Sequence, residues 1–148
     1  MCDHCGCRAY PPIAELTADH EEILRRAWEL AETERAGAPV GPGERDELLA
    51  VLDVHVTKEE TGLYPELAAR GDLTDEQRAQ LDGEHREIRE ALTGGRFDRR
   101  AFYALAAHIE DEEMELVPAA MFGFDDDGWE AMDAAHHRAR GHSAVLPR

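Results

Sequence analysis

Positive charge is scarce in this sequence. Sixteen lysines and arginines stand against 33 aspartates and glutamates, giving a formal net charge of −17 over 148 residues. A surface that acidic repels a phosphate backbone, which argues against nucleic acid as a partner. Also missing is any apolar run near the ~20 residues needed to span a bilayer, so no membrane partner is expected. The opening MCDHCGCRAYPPI carries no apolar stretch of the secretory type. A cytoplasmic location is therefore expected, where the three cysteines stay mostly reduced and favour metal or redox roles over structural disulfides. No Ser-His-Asp arrangement, phosphate-cradling glycine loop or flavin signature stands out, and Gly94-Gly95 alone is too little to count.

The hydrophobic fraction, 43%, is ordinary for one soluble domain with a sizeable core. Ile13, Leu16, His20, Ile23, Ala27 and Leu30 recur at spacings of three and four, which predicts an amphipathic helix over 13–35. The segment GAPVGPGE (37–44) reads as a loop. A second helix is expected over 44–69, with Leu48, Leu52, His55, Glu59 and Leu63 on one face and Pro65 loosening or kinking its last turns. A third, over 74–92, carries Leu81, His85, Ile88 and Leu92, with Thr74 or Asp72 available as its cap. After the break at Gly94-Gly95, a fourth over 98–120 shows Phe102, Leu105, His108, Glu112 and Leu116, with Pro118 near its end. FGFDDDG (122–128) is a turn. A short fifth helix over 126–140 has Trp129, Met132 and His136 on one side, and a frayed tail follows.

Two stretches organise this pattern. HVTKEETGLYP (55–65) and HIEDEEMELVP (108–118) each begin with His, place Glu-Glu four and five residues on, and end in Pro ten residues after the His. On a helix, i and i+4 share a face, so His55 pairs with Glu59 and His108 with Glu112. LTADHEEIL (16–24) likewise echoes LDGEHREIR (81–89). The order is thus His, His-x3-Glu, His, His-x3-Glu, a pseudo-twofold four-helix bundle with six ionisable groups facing its core. One histidine on an apolar stripe is more often a satisfied core residue than a ligand. Four such histidines plus two carboxylates have no partners elsewhere in the sequence, and a buried unpaired carboxylate costs several kcal/mol.

His20, His55, Glu59, His85, His108 and Glu112 are therefore the expected metal ligands. Mixed imidazole and carboxylate donors suit iron, zinc or manganese. Six residues exceed one tetrahedral zinc site and fit two ions, each with two histidines, bridged by Glu59 and Glu112. Such ions keep open positions, the mark of a reactive site. Cys2, Cys5 and Cys7, with His4 among them, form a second candidate site for a soft metal or for dithiol chemistry. The expected division is a cysteine-rich lead-in over 1–12, the metal-binding bundle over 13–122, and a C-terminal helix and tail over 123–148.

The pattern His20, His55-x3-Glu59, His85, His108-x3-Glu112 resembles the hemerythrin-like family, the HHE cation-binding domain, over about 13–122. The resemblance implies an all-α, antiparallel four-helix bundle around a non-haem di-iron centre that binds O2 or related small molecules. The oxygen-carrying members have His-x3-His on the third helix, whereas four residues either side of His85 stand Leu81 and Arg89. Their last carboxylate lies five residues after the histidine, where this chain has Glu113, while the internal repeat favours Glu112. With one imidazole fewer, redox chemistry on O2, peroxide or NO is expected over reversible oxygen carriage. The alternative is an iron, oxygen or redox sensor, or a metal-buffering module, acting through a partner. Whether the chain is an enzyme and how it oligomerises stay open.

Other side chains have weaker claims. Glu60 and Glu113 are candidate acceptors for ligand-histidine N–H groups, with a solvated helix flank as the plainer reading. Tyr64 and Tyr103 are candidates to reach the centre, with core packing as the plainer reading. His136, His137 and His142 are expected at the surface, where they could join the N-terminal cysteines. Trp129 and Met132 are expected in the core.

Overall fold

The computed structural model describes residue 6 and residues 9–145, with side chains to residue 141. Cys2, His4, Cys5 and Cys7 lie outside the described residues. Among those described there are five long helices and no strand. Helix α1, Pro11–Arg35, starts on two prolines, which fit a first turn because its N–H groups have no intrahelical acceptor. Helix α2 has three continuous pieces: α-helical Pro42–Lys58, a π-helical turn Glu59–Leu63, and α-helical Tyr64–Ala69. Helix α3 is Asp75–Thr93, opened by a capping box between Thr74 and Gln77. Helix α4 repeats the build of α2, with Arg99–Asp111, a π turn Glu112–Leu116, and Val117–Gly123. Helix α5, Asp126–Val145, is 20 residues long and runs into the stretch expected to fray.

The first four helices form an antiparallel bundle in which α1 packs on α2 and α4, and α3 packs on the same two. Its core is split. One apolar cluster gathers Ile13, Leu16, Leu63, Leu67, Leu81, Leu116, Ala120 and Phe124. The other gathers Ile23, Leu30, Leu48, Leu52, Ile88, Leu92, Phe97 and Leu105. On α1, His20 stands between Leu16 of the first and Ile23 of the second; on α3, His85 stands between Leu81 and Ile88. The polar layer is thus sandwiched between two greasy ones. None of the described helices is long and apolar enough to cross a membrane.

The prolines expected to loosen α2 and α4 do so in one definite way. Tyr64 N–H bonds to Glu59 O and Val117 N–H to Glu112 O, five residues back instead of four. Proline has no N–H and crowds the carbonyl four residues back; the wider turn just before Pro65 and Pro118 absorbs that. The helix then continues with its face shifted, so that Leu63 and Tyr64, like Leu116 and Val117, both point inward.

Helix α5 lies on α2, on its π turn and on α1. Gly62 permits this approach: a Cβ there would sit 3.0 Å from Ala135 Cβ and 3.5 Å from Met132 O. Met132 and Ala135 are fully buried, as expected of Met132. Trp129 is half-buried and packs on Tyr10 and Phe124. Gly62→Leu should therefore lift α5 while leaving the four-helix bundle folded. Amide exchange over 126–145 should quicken by an order of magnitude or more, with α3 unaffected. Unchanged protection in α5 would mean that the contact at Gly62 does not hold it down.

Candidate metal centre

The six side chains converge at the middle of the bundle. His20, His55, Glu59 and Glu112 form one group of metal-ligating atoms, and Glu59, His85, His108 and Glu112 form a second. The two carboxylates belong to both. His55 Nε2 is 3.2 Å and His85 Nε2 3.4 Å from Glu59 Oε1. His20 Nε2 is 3.6 Å from Glu112 Oε2 and 3.8 Å from Glu59 Oε2. His108 Nε2 abuts Glu112 Oε1. Glu59 and Glu112 are each 1% exposed.

The residues fit metal cations. Among the described residues, Glu59 Oε1 and Oε2, Glu112 Oε2, His20 Nε2 and His55 Nε2 are buried without a hydrogen-bond partner, and all five belong to the clustered ligand groups. Satisfying them with protein groups would need donors that the surrounding Ile and Leu side chains lack. His85 Nε2 and His108 Nε2 are 2.9 Å apart. Two nitrogens bound at right angles to one ion, each ~2.1 Å away, would be roughly 3 Å apart.

Each histidine has a carboxylate on its outer nitrogen. His55 Nδ1 donates to Asp19 at 3.0 Å, His108 Nδ1 to Glu84 at 3.1 Å and His20 Nδ1 to Glu113 at 2.9 Å. Glu60 is 3.8 Å from His85 Nδ1, and that nitrogen has no hydrogen bond. A ring that donates its Nδ1 proton outward presents a lone pair on Nε2 inward, the tautomer a metal needs. The pairing follows the sequence repeat. Asp19 and Glu84 serve the histidine of their own half, while Glu113 and Glu60 lie against the single histidine of the opposite half.

Without metal, protons hold the charges apart. Burial pulls the His20 ring down, but the Glu113 hydrogen bond and the nearby Glu59 carboxylate outweigh it and raise it to about 9. Burial also opposes the charged form of His55, yet the Glu59 charge and the Asp19 hydrogen bond raise it. Burial works against the Glu59 carboxylate too, but the charge on His55 and the neighbouring His20 ring hold it well below the usual range. Burial, helped by the neighbouring His85, lowers His108. Below a pH of about 9 an ion that needs His20 Nε2 must therefore displace a proton.

Tyr64 is fully buried. Its hydroxyl donates to Glu112 Oε1 at 3.1 Å and lies 3.3 Å from His85 Nε2, with the two rings stacked. Val117 holds the same position in the second repeat, so the phenol attends one half of the centre only. Burial pushes the Tyr64 hydroxyl far above its ordinary range, so it stays protonated and donates.

A buried ion-pair chain leads from His55 to α5. Asp19 also accepts from Lys58 Nζ at 2.7 Å, Lys58 Nζ is 3.3 Å from Glu15, and Glu15 takes His136 Nδ1 at 2.6 Å and the Arg140 guanidinium. Lys58 is 4% exposed. Burial lowers His136, favouring the neutral ring despite Glu15.

Several expectations change here. His136 is fully buried, not superficial, because α5 turns it onto Glu15; His137 is exposed, and the His142 side chain lies outside the described residues. Tyr103 is 58% exposed and far from any ligand role. Glu113 is no solvated flank but the acceptor for His20, and Glu112, not Glu113, faces the centre. Arg89 turns outward to Asp53 at 3.1 Å and Leu81 joins the apolar core, so neither adds a donor. Asp19, Glu84 and Lys58 were not singled out from sequence. The acid just before the histidine in both repeat copies, Asp19 and Glu84, was the available signal for two of them; nothing marked Lys58.

A family model, the hemerythrin HHE cation binding domain, matches residues 11–120. The chain matches no curated protein and no solved structure.

Two outcomes follow from the geometry. Metal uptake by the metal-free chain at pH 7.5 should release protons, and apparent affinity should fall by roughly tenfold per pH unit below the His20 value for each proton displaced. An indicator dye in weak buffer reads this, and uptake without release would remove His20 from the ligand set. Lys58→Met should cost about 2 kcal/mol, because part-buried Asp19 loses its ammonium partner and keeps only His55 Nδ1, while Glu15 retains Arg140 and His136. Urea unfolding reads that loss, and an unchanged midpoint would mean that the chain of ion pairs carries no stability.

Proposed function

The chain belongs to the hemerythrin HHE cation binding domain family, and we propose that it is a non-haem di-iron protein that binds O2 or related small molecules and exchanges electrons with O2, peroxide or NO. The family binds metal cations, and the His/Glu clusters could hold them. The observation that carries the di-metal reading is the sharing of Glu59 and Glu112 between two histidine pairs. A single ion would leave one pair and its carboxylate oxygens unsatisfied. Iron fits a mixed nitrogen and oxygen donor set, as zinc or manganese also does. When bound, iron supplies electrons by alternating between its ferrous and ferric states.

The residues around the centre supply the rest. His20 and His55 would hold one ion and His85 and His108 the other, with Glu113, Asp19 and Glu84 fixing His20, His55 and His108 from outside. Glu59 and Glu112 offset the cationic charge and set the spacing. Tyr64 keeps a hydroxyl proton within hydrogen-bond reach of Glu112. A cavity of about 10 Å³ lies against His55, Glu59, His85 and His108, closed on its other side by Ile23, Leu52, Ile88 and Leu105. That is space for one water or a ligand of similar size, which favours a diatomic or peroxide over a larger organic substrate.

The ion-pair chain from His55 through Asp19, Lys58 and Glu15 to α5 favours a second reading, a sensor in which occupancy of the centre alters α5 and thereby a partner. Turnover separates the two. The iron-loaded enzyme should consume peroxide or NO many times per centre; a single stoichiometric burst would favour the sensor.

Metal analysis with an absorption spectrum tests the shared premise of both. Two irons per chain with near-ultraviolet charge-transfer bands after exposure to air are expected; two zincs and no such bands would overturn the redox reading. His55→Ala and Glu59→Ala should each reduce bound metal from two ions to one or none, with helical content retained by circular dichroism. Two ions in both variants would take these residues out of the site.

A further inference from the structure

The two sides of the centre differ although the sequence repeat relates them. On one side α5 covers α2, and the contact uses Glu15, Lys58 and Gly62. The corresponding positions in the second repeat are Gln80, Asp111 and Glu115. These three line a cavity of about 120 Å³ between α3 and α4, together with Gln77, Glu84 and Glu112. So the positions that seal one face of the bundle, partly with a buried cation, open the other face and make it acidic. Among the described residues, no lysine, arginine or histidine lines the cavity.

The cavity reaches the centre itself. Glu112, 1% exposed and with Oε2 unpartnered, is part of its wall. Glu84, also in the wall, is the carboxylate that accepts from His108 Nδ1. Exposure falls along the wall, from exposed Asp111 and Glu115 through half-buried Glu84 to buried Glu112. The volume holds an ion with several waters. Carboxylates can replace those waters one at a time, so a cation need not shed its hydration shell in a single step.

We propose that this cavity is the route by which divalent cations reach the centre. The inference rests on the reading of the centre as a metal site and adds where the ions come from. The acidic wall draws cations in by focusing the field between low-dielectric helices, an effect that raises capture rates by 10–10³-fold in charged clefts. The same wall turns away anions such as phosphate. On the opposite side Lys58, held by Asp19 next to His55, repels an approaching cation.

Uptake kinetics test the route. Co2+ is mixed with metal-free protein in a stopped-flow instrument and followed by its visible bands. The paired substitution Asp111→Asn with Glu115→Gln removes two exposed charges at the mouth. The control, Glu130→Gln with Asp133→Asn, removes two exposed charges from α5 on the sealed face. At low ionic strength the mouth variant should load roughly five- to tenfold more slowly than wild type, with the final number of ions unchanged, while the control loads at the wild-type rate. The gap should close at molar salt, where the Debye length is ~3 Å. Equal slowing in both variants would show that the field of the whole molecule governs uptake, and no slowing in either would show that ions pass elsewhere; each result overturns the route while leaving the centre intact. Wild-type protein that takes up no Co2+, Fe2+ or Zn2+ would overturn the metal centre, and the route with it.

Discussion

Two carboxylates at the middle of an apolar bundle set the terms for everything around them. Leaving one buried carboxylate unsatisfied costs several kcal/mol, against a net stability of roughly 5–15 kcal/mol for a domain of ordinary size. Glu59 and Glu112 together would use up most of that margin if nothing positive lay between them. In the metal-free chain the surrounding carboxylates favour protons on His20 and His55, raising both rings. That solution is partial, because five polar atoms of the cluster still lack hydrogen bonds. Cations satisfy the same atoms at once, which ties ion binding to the stability of the fold.

The ring of outer carboxylates makes this a property of the whole bundle. Asp19 and Glu84 orient a histidine within their own half, and Glu113 reaches across to the histidine of the other. A shift of α4 against α1 would therefore turn His20 as well as displace Glu112. The layer holds the four helices in register, while the apolar clusters above and below supply the burial that a polar layer cannot.

Much of this was legible in the sequence, and the limits have physical causes. Helical spacing located the four helices and put His20, His55, Glu59, His85, His108 and Glu112 on inward faces, because one period describes both the apolar stripe and the polar residues that interrupt it. The repeat also chose Glu112 over Glu113 as the inward residue. The outer shell was less legible. Asp19, Glu84 and Glu113 sit at the edge of the stripe, where a solvated acid and a hydrogen-bonded one have the same spacing; only the facing helix decides. His136 was misjudged for a related reason. Its burial depends on Glu15, 121 residues away in sequence, and on a glycine at position 62 that lets α5 approach. Tyr64 and Tyr103 have equal aromatic character, yet the π turn carries one inward while the other stays on the solvent face.

The π turns explain why the ligand helices end as they do. A regular α-helix from His55 to Ala69 would keep Glu59 and Leu63 inward but turn Tyr64 toward the flank. The five-residue turn that begins at Glu59 places Tyr64 over His85 instead, and its twin at Glu112 places Val117 in the equivalent position. The prolines that follow make the wide turn favourable in both copies, since each lacks the N–H that a tight turn would require. The backbone device is thus symmetric while its cargo is not: a phenol stacked on His85 in one copy, a buried isopropyl group at the matching position in the other. Together with Lys58 opposite Asp111, that difference gives two groups of the same ligand type distinct surroundings, one beside a hydroxyl and an acidic opening, the other beside a buried ammonium and a covering helix. A duplicated motif can in this way give two groups of the same residue types unequal shelter from solvent.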